Sequence, residues 1–163
     1  MSELEVREAT EADHDAVWAM LEPVFRAGDT YAIDSGISRE EALCYWYLAE
    51  RVFLALDSKT PVGTFYIKEN QKGGGAHVCN CGYITAKGSE GKGVARAMLA
   101  FSLAEARALG FEAMQYNFVL ANNARAVATW ERAGFAEIGR QPRAFVMPDG
   151  SYVDALILHK FLD

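Results

Sequence analysis

The fold is decided by the stretch YITAKGSEGKGVARAMLAF, residues 83–101. An apolar run at residues 77–86 leads into a glycine-rich turn at residues 88–93, and apolar side chains then recur at helical spacing over residues 94–108. The pattern predicts a strand, a tight turn and a long helix that stops at Gly110. Such a junction gathers unpaired backbone N–H groups and the positive end of a helix dipole at one place, which suits a bound phosphate.

The glycine-rich turn has the residues that a diphosphate site needs. Gly91 and Gly93 let the backbone approach a ligand closely, while Lys92 and Arg96 bring positive charge into an acidic chain. A P-loop is a poor match, because Gly93 stands where that motif has the hydroxyl residue that binds magnesium. The dinucleotide-binding fingerprint is also a poor match, because it needs a third glycine where Arg96 stands. A tight turn that only starts a helix is the remaining alternative.

The rest of the chain predicts a mixed sheet flanked by helices. Strands are predicted at residues 4–9, 52–56, 62–67, 77–86, 113–119, 135–139 and 152–158. Capping boxes at Thr10 and Ser38 open two helices, of which the first stops at Gly28, and the polar linker between them is expected to be a mobile loop. Asn122 or Asn123 caps a later helix. The element order is βααβββαβαββ, an α/β fold with a mixed sheet, in a single domain that spans residues 1–163.

The composition is that of a folded globular protein with no basic footprint. Of the 163 residues, 51% are hydrophobic and 23% are charged, which argues against disorder and coiled coil. The net charge of −6 disfavours nucleic acid as a partner, and no stretch approaches the roughly 20 apolar residues of a membrane span. Three cysteines and the lack of a basic, apolar leader predict a cytoplasmic protein.

Two motifs resemble the signatures of a known enzyme family. Thr85 followed by Glu90-Gly91-Lys92-Gly93-Val94-Ala95 resembles the acetyl-CoA signature Arg/Gln-x-x-Gly-x-Gly/Ala of the GCN5-related N-acetyltransferase (GNAT) superfamily. Residues 123–135, in which Trp130 precedes Gly134-Phe135, resemble the second signature of that family. The resemblance implies an acetyltransferase fold and acetyl-CoA as co-substrate, with its pantetheine arm in a gap between the strands at residues 77–86 and 113–119. The cofactor-binding residues that it implies are Tyr83, Ile84, Thr85, Gly91, Lys92, Gly93, Val94, Ala95, Arg96 and Asn123.

The sequence departs from the family pattern near the expected reaction centre. Glu90 stands where the family prefers Arg or Gln, and Trp130 stands where many relatives have a tyrosine that protonates the departing thiolate. Residues 114–119 hold no carboxylate that could act as a base. Asn80 and Asn117 are therefore the predicted catalytic residues, which orient the amine or polarise the carbonyl. The alternatives are that Trp130 packs in the core and that both amides satisfy backbone groups at strand ends.

A second, narrower resemblance concerns the acceptor. His77, Cys79 and Cys81 alternate along one strand, where residues two apart stand about 6.6 Å from each other; this spacing is awkward for one zinc ion, and no metal site is predicted. The motif His77-x-Cys79-Asn80-x-Gly82, together with Asn117, Asn123 and Trp130, resembles the microbial N-acetyltransferases that act on azetidine-2-carboxylate and other proline analogues. That branch implies a small amino or imino acid whose carboxylate is bound by Asn side chains and backbone N–H groups.

The predicted function is acetyl-CoA-dependent N-acetylation of a small-molecule amine, with direct attack of the neutral amine on the thioester. Two alternatives stay open: a module that binds acyl-CoA without catalysis, and an acetyltransferase of a peptide or protein amine. A homodimer is compatible with the sequence.

Overall fold

A computed structural model describes residues 4–49 and 51–163 of the chain. In this part of the chain, seven strands form one mixed sheet in the order β1-β2-β3-β4-β5-β7-β6, and four α-helices pack on it. The strands are β1 (Leu4–Glu8), β2 (Arg51–Asp57), β3 (Thr60–Glu69), β4 (Val78–Thr85), β5 (Ala113–Leu120), β6 (Ala136–Val146) and β7 (Tyr152–Phe161). The helices are α1 (His14–Ala27), α2 (Arg39–Tyr47), α3 (Val94–Ala108) and α4 (Ala124–Arg132). This order confirms the predicted βααβββαβαββ arrangement.

Local signals set the helix ends as the sequence predicts. The Ser38 backbone N–H donates to the Glu41 carboxylate at 3.0 Å, and the Glu41 N–H donates back to the Ser38 hydroxyl at 3.1 Å. At the first helix the Thr10 N–H donates to Asp13 at 2.9 Å, although a short 3₁₀ turn precedes α1. Gly28 ends α1 with a φ of 64°, a conformation that costs glycine little. Both capping boxes are therefore confirmed.

The sheet separates two apolar cores. One core lies under α3 and α4 and contains Phe65, Met98 and Leu158, while the other lies under α1 and α2 and contains Leu21 and Trp46. Cys79 and Cys81 are buried in the first core as free thiols. Within residues 4–49 and 51–163, no group of three or more His, Cys, Asp or Glu side chains is placed to hold a metal ion.

The centre of the sheet is split. β4 and β5 run parallel and pair only at Val78 with Ala113 and at Cys79 with Met114, after which the two strands separate. On its other side, the ladder of β5 with β7 has a register shift between Tyr116 and Val119. The predicted gap between these strands is confirmed, and it opens toward the end of β4 that leads into the glycine-rich turn.

Two parts of the chain differ from the prediction. β6 spans Ala136–Val146 and is much longer than the predicted strand at residues 135–139. It is one of the two edge strands and is largely exposed, so it lacks the apolar alternation that marks a half-buried strand. Its ladder with β7 is broken near Arg143, which has a φ of 50° and donates its N–H to Asp154 at 2.8 Å. The linker between α1 and α2, expected to be mobile, is anchored in the core by Tyr31.

None of the helices in the described residues has the length and apolar character that a bilayer crossing requires.

Candidate functional site

The start of α3 is built as an anion site. Gly93 is the N-cap of α3 with a φ of 83°, and Gly91 has a φ of 76°, conformations that other residues rarely adopt. The Ala97 N–H donates to the Gly93 carbonyl at 3.0 Å as the first bond of the helix. By helix geometry, the N–H groups of residues 94–96 therefore have no carbonyl partner inside α3 and face whatever lies beyond its end.

A cavity of about 730 Å³, called here the loop cavity, opens in front of this helix end. Most of the predicted cofactor-binding residues line it: Thr85, Gly91, Gly93, Val94, Ala95, Arg96 and Asn123. Lys92 is exposed and lies outside this lining, and Ile84 points into the core under α1 and α2. Tyr83 lines a second cavity. Seven of the ten predicted residues therefore line this cavity, and Lys92 does not. Tyr83 and Ile84 were expected to contribute the backbone of β4 rather than their side chains, and that role stays a prediction.

Positive charge in the loop cavity comes mainly from α4. Arg125 and Arg132 line it together with Arg96, and the Arg125 guanidinium lies 3.7 Å from the position that a Cβ of Gly91 would occupy. Neither α4 arginine is among the residues predicted from the sequence. The available signal was their position close behind Asn123, which caps α4 by accepting a hydrogen bond from the Ala126 N–H at 3.2 Å.

Glu90, the acidic departure from the family pattern, is folded back on its own loop. Its carboxylate accepts a 2.7 Å hydrogen bond from the Gly88 N–H. Hydrogen bonds from its own backbone N–H and from that of Gly88 hold the pKa of Glu90 below its ordinary value. The carboxylate therefore has backbone partners of its own and leaves the N–H groups at the start of α3 free for an anion.

A second cavity of about 340 Å³, called here the sheet cavity, lies at the split between β4 and β5, on the side of α1 and α2. Its wall carries aromatic hydroxyls from Tyr31, Tyr45 and Tyr66, and its charged side chains are Asp29 and Lys68. Asn123, Ala126 and Trp130 line both cavities. The two cavities therefore meet at α4, beside the split in the sheet.

Asn80 and Asn117, the predicted catalytic residues, both line the sheet cavity. The buried Asn80 amide donates to the Gln115 carbonyl at 2.9 Å and accepts from the Tyr66 hydroxyl at 3.4 Å. The exposed Asn117 amide donates to Asn70 at 2.6 Å and accepts from the Gln115 side chain at 3.1 Å. Asn80 thus bridges β4 and β5 where they part, which is the backbone-bonding role that the sequence left open as an alternative to catalysis. The catalytic role of either amide stays a prediction.

Trp130 both packs and forms the wall between the cavities. Its ring lies 5.3 Å from that of Tyr83 and 4.9 Å from that of Tyr116. Beneath it runs a chain of hydroxyls: Tyr116 to Tyr83 at 3.1 Å, Tyr83 to Ser102 at 2.7 Å, and Ser102 to the Leu99 carbonyl at 2.9 Å. Because Ser102 uses its one proton to bond the Leu99 carbonyl, it accepts from Tyr83, and Tyr83 in turn accepts from Tyr116. The hydroxyl protons of the chain therefore point toward Leu99. Burial raises the pKa of both tyrosines, so the chain stays neutral.

Tyr31 ties the linker between α1 and α2 to the edge of β4. Its hydroxyl donates to the Tyr83 carbonyl at 3.0 Å, and its ring makes edge contacts with Phe25 and Trp46. The His77 carbonyl bonds on the β5 side, to the Glu112 N–H at 2.8 Å. Since carbonyls alternate along a strand, the Tyr83 carbonyl also faces the split. Tyr31 therefore contacts the strand edge that the pantetheine arm is predicted to use.

Comparisons with known proteins identify the family of the chain. Residues 15–135 match the model of the acetyltransferase (GNAT) family. The N-acetyltransferase aca1 of Schizosaccharomyces pombe is 30% identical over 129 residues, which cover 69% of this chain and 62% of that relative. The chain thus spans less than two thirds of the length of this relative.

Solved structures extend the comparison over the whole fold. A GCN5-related N-acetyltransferase from Kribbella flavida is 34% identical, with a TM-score of 0.92 and 97% of each chain covered. The yncA protein of Salmonella typhimurium, solved with its cofactor acetyl-CoA, is 18% identical, with a TM-score of 0.87 over 99% of this chain and 95% of that one; at this identity it shows the fold alone. The chain belongs to the GNAT family. The predicted family and fold are confirmed, while the narrower azetidine-2-carboxylate branch stays a prediction.

Proposed function

We propose that this protein is an acetyl-CoA-dependent N-acetyltransferase that acetylates the amine of a small molecule. The observation that carries the proposal is the meeting of the two cavities at Asn123, Ala126 and Trp130, beside the split between β4 and β5. The loop cavity has the donors and charge for a diphosphate, and the sheet cavity has the volume of a small acceptor. The match of residues 15–135 to the acetyltransferase (GNAT) family supports acetyl-CoA as the donor.

The residues of this chain fit coenzyme A in three ways. The free N–H groups of residues 94–96, with Arg96 and Arg125, would bind the diphosphate. The backbone groups of Tyr83 and Thr85, which face the split and are unpaired by β5, would bond the pantetheine amides much as an added strand does. Asn123 would contact the arm near α4. Acetyl-CoA supplies the acetyl group as a thioester at the point where the cavities meet.

The proposed reaction is direct attack. The neutral amine forms a C–N bond with the thioester carbonyl, the C–S bond breaks, and the amine proton passes to water. Backbone N–H groups of β4 near Thr85 would stabilise the oxyanion, and Asn80 and Asn117 would orient the amine. The hydroxyl protons of Tyr116, Tyr83 and Ser102 point along their chain toward the Leu99 carbonyl, so this chain does not donate a proton to the departing thiolate. A thiol of pKa about 8.5 is a tolerable leaving group without an acid.

The proposed acceptor is a small amino or imino acid, such as azetidine-2-carboxylate or a proline analogue. The volume of the sheet cavity, about 340 Å³, supports a small molecule over a peptide. We further propose that residues 1–163 act as one cytoplasmic N-acyltransferase domain, which the three free cysteines support. The competing function, acyl-CoA binding without catalysis, is favoured by one observation: the Asn80 amide is already bonded on both sides.

Thiol release and calorimetry together test the proposal. Purified protein is mixed with acetyl-CoA and a panel of amino and imino acids, and free CoA is followed with a thiol reagent while mass spectrometry detects the N-acetyl product. The proposal predicts CoA and product in equal amounts for at least one acceptor. Tight binding of acetyl-CoA without turnover of any acceptor would favour the binding module, and failure to bind acetyl-CoA would contradict both functions.

A further inference from the structure

Lys68 is the basic side chain of the sheet cavity. Its ammonium lies 5.2 Å from the centre of the Tyr66 ring and 5.9 Å from that of Tyr45, so two ring faces hold it against the cavity wall. Among residues 4–49 and 51–163, no carboxylate lies within 4.0 Å of this ammonium. The neighbouring Glu69 pairs with Lys72 instead, at 2.7 Å. Lys68 is thus a positioned positive charge with aromatic contacts and no ionic partner in the described chain.

The register of the sheet places this charge beside the reaction centre. Lys68 on β3 is the direct cross-strand partner of Asn80 on β4, so their side chains stand on the same face with Cβ atoms about 5 Å apart. Asn80 in turn bonds to the Gln115 carbonyl across the split. Lys68 and the residues at the split line the same cavity, so one small molecule in it can contact both.

We infer that Lys68 binds the carboxylate of the acceptor, so that the substrate of this site is an amine that also carries a carboxylate. The inference rests on the proposed function and adds the residue that makes the carboxylate a requirement. Asp29, at the rim of the same cavity, is exposed and accepts from the Thr30 hydroxyl at 3.1 Å. One cation and one anion in the lining of this cavity match an acceptor with charges of both signs.

Matched pairs of acceptors test this inference. Each amino or imino acid of the panel, including proline and azetidine-2-carboxylate, is compared with its own carboxamide. The amino group of each carboxamide is less basic than that of the matching acid, so more of it is neutral at pH 7. The reactivity of the amino group alone therefore favours the carboxamide. The inference predicts the opposite: kcat/KM for the free acid exceeds that for the amide by about tenfold to a hundredfold, the usual worth of one charge-assisted hydrogen bond. Equal rates for acid and amide would overturn it.

Three variants separate charge recognition from packing. Lys68→Met keeps a long side chain on the tyrosine rings and should erase the acid preference, raising KM for the acid about tenfold or more with no change in KM for acetyl-CoA. Lys68→Arg should restore the preference. Lys59→Met removes a lysine from the exposed β2–β3 turn, outside both cavities. It should change neither KM for the acid nor KM for acetyl-CoA. A Lys68→Met enzyme that loses activity on acid and amide equally would show a packing role only.

Carboxylate recognition can be measured even if the protein acetylates no acceptor. Calorimetry of proline and prolinamide on the CoA-loaded protein compares their binding without any transfer step. Selective binding of the acid, lost in Lys68→Met, would support the inference while the proposed transfer fails. Equal binding of acid and amide, or no binding of either, would overturn the inference, whatever the protein does with acetyl-CoA.

Discussion

Replacing Gly82 by alanine should damage the acceptor side of the site while it spares the cofactor side. Gly82 lies on β4 opposite Tyr66, and its backbone conformation is open to alanine. A Cβ at this position would stand 2.6 Å from Tyr66 Cε1 and 2.8 Å from the Tyr66 hydroxyl, where ordinary contacts begin at 3.4 Å. The Tyr66 ring is stiff and packs edge-on against Trp46 at 4.8 Å, so it must move within the sheet cavity.

The size of the effect follows from this overlap. Overpacking a well-filled site costs about 1–3 kcal/mol of folding free energy. Tyr66 also contacts Lys68 and Asn80, so its displacement moves two groups that face the acceptor. A misplacement of about 1 Å at a reaction centre can cost on the order of 100-fold in rate. We expect kcat/KM for the acceptor to fall by about that factor, with acetyl-CoA affinity unchanged.

Gly63→Ala is the matched control for this variant. Its Cβ would stand 2.7 Å from Met98 Sδ and 2.8 Å from Val94 Cγ1, on the opposite face of the sheet. Val94 is the first residue of α3, so this change presses on the cofactor side. Steady-state kinetics with each substrate varied, together with urea unfolding, should show similar losses of stability, a raised acceptor KM only in Gly82→Ala and a raised acetyl-CoA KM only in Gly63→Ala. Identical kinetic defects in both variants would refute the division of the site into two cavities.

Three further predictions concern single contacts. Arg125→Met should weaken acetyl-CoA binding about tenfold and reduce its salt dependence; unchanged calorimetric affinity would remove Arg125 from the diphosphate site. Tyr31→Phe loses the hydrogen bond to the Tyr83 carbonyl, so it should cost about 1 kcal/mol in urea unfolding and speed amide exchange in the α1–α2 linker; unaltered exchange would contradict the anchoring role. The hydrogen bond from Arg7 lowers the pKa of Asp13 to about 2, so its stabilisation is present above pH about 4 and is lost as the pH falls toward 2. Asp13→Asn should therefore be less stable by about 1 kcal/mol at pH 7, with a difference in stability that narrows between pH about 4 and 2; a constant difference would contradict the assignment.

Much of the fold could be predicted from the sequence because its signals are local. The glycines at 91 and 93, the capping box at Ser38 and the stop at Gly28 each act through backbone conformations or hydrogen bonds within a few residues. β6 was predicted too short, because an exposed edge strand with a bulge at Arg143 carries no apolar alternation. Its partner, β7, sets its length through pairing that no local pattern encodes.

The site could be predicted only where its residues are close in sequence. The start of α3 forms one continuous segment, so its anion-binding groups were found together. The wall of the sheet cavity joins Tyr31 from a linker, Tyr45 from α2, and Tyr66 and Lys68 from β3. Nothing local marks these four residues, because their meeting depends on strand register and on how the linker crosses the sheet. The same reason explains why the polar linker looked mobile: the burial of Tyr31 comes from distant contacts.

A crystal structure with bound acetyl-CoA would show whether the two cavities form one acetyl-transfer site. We expect electron density for the diphosphate against the N–H groups of residues 94–96 and Arg125, with the pantetheine arm in the split between β4 and β5 and the thioester near Trp130. Density for the coenzyme on another surface, or a loop cavity that stays empty at saturating coenzyme, would contradict the claim that the two cavities form one acetyl-transfer site.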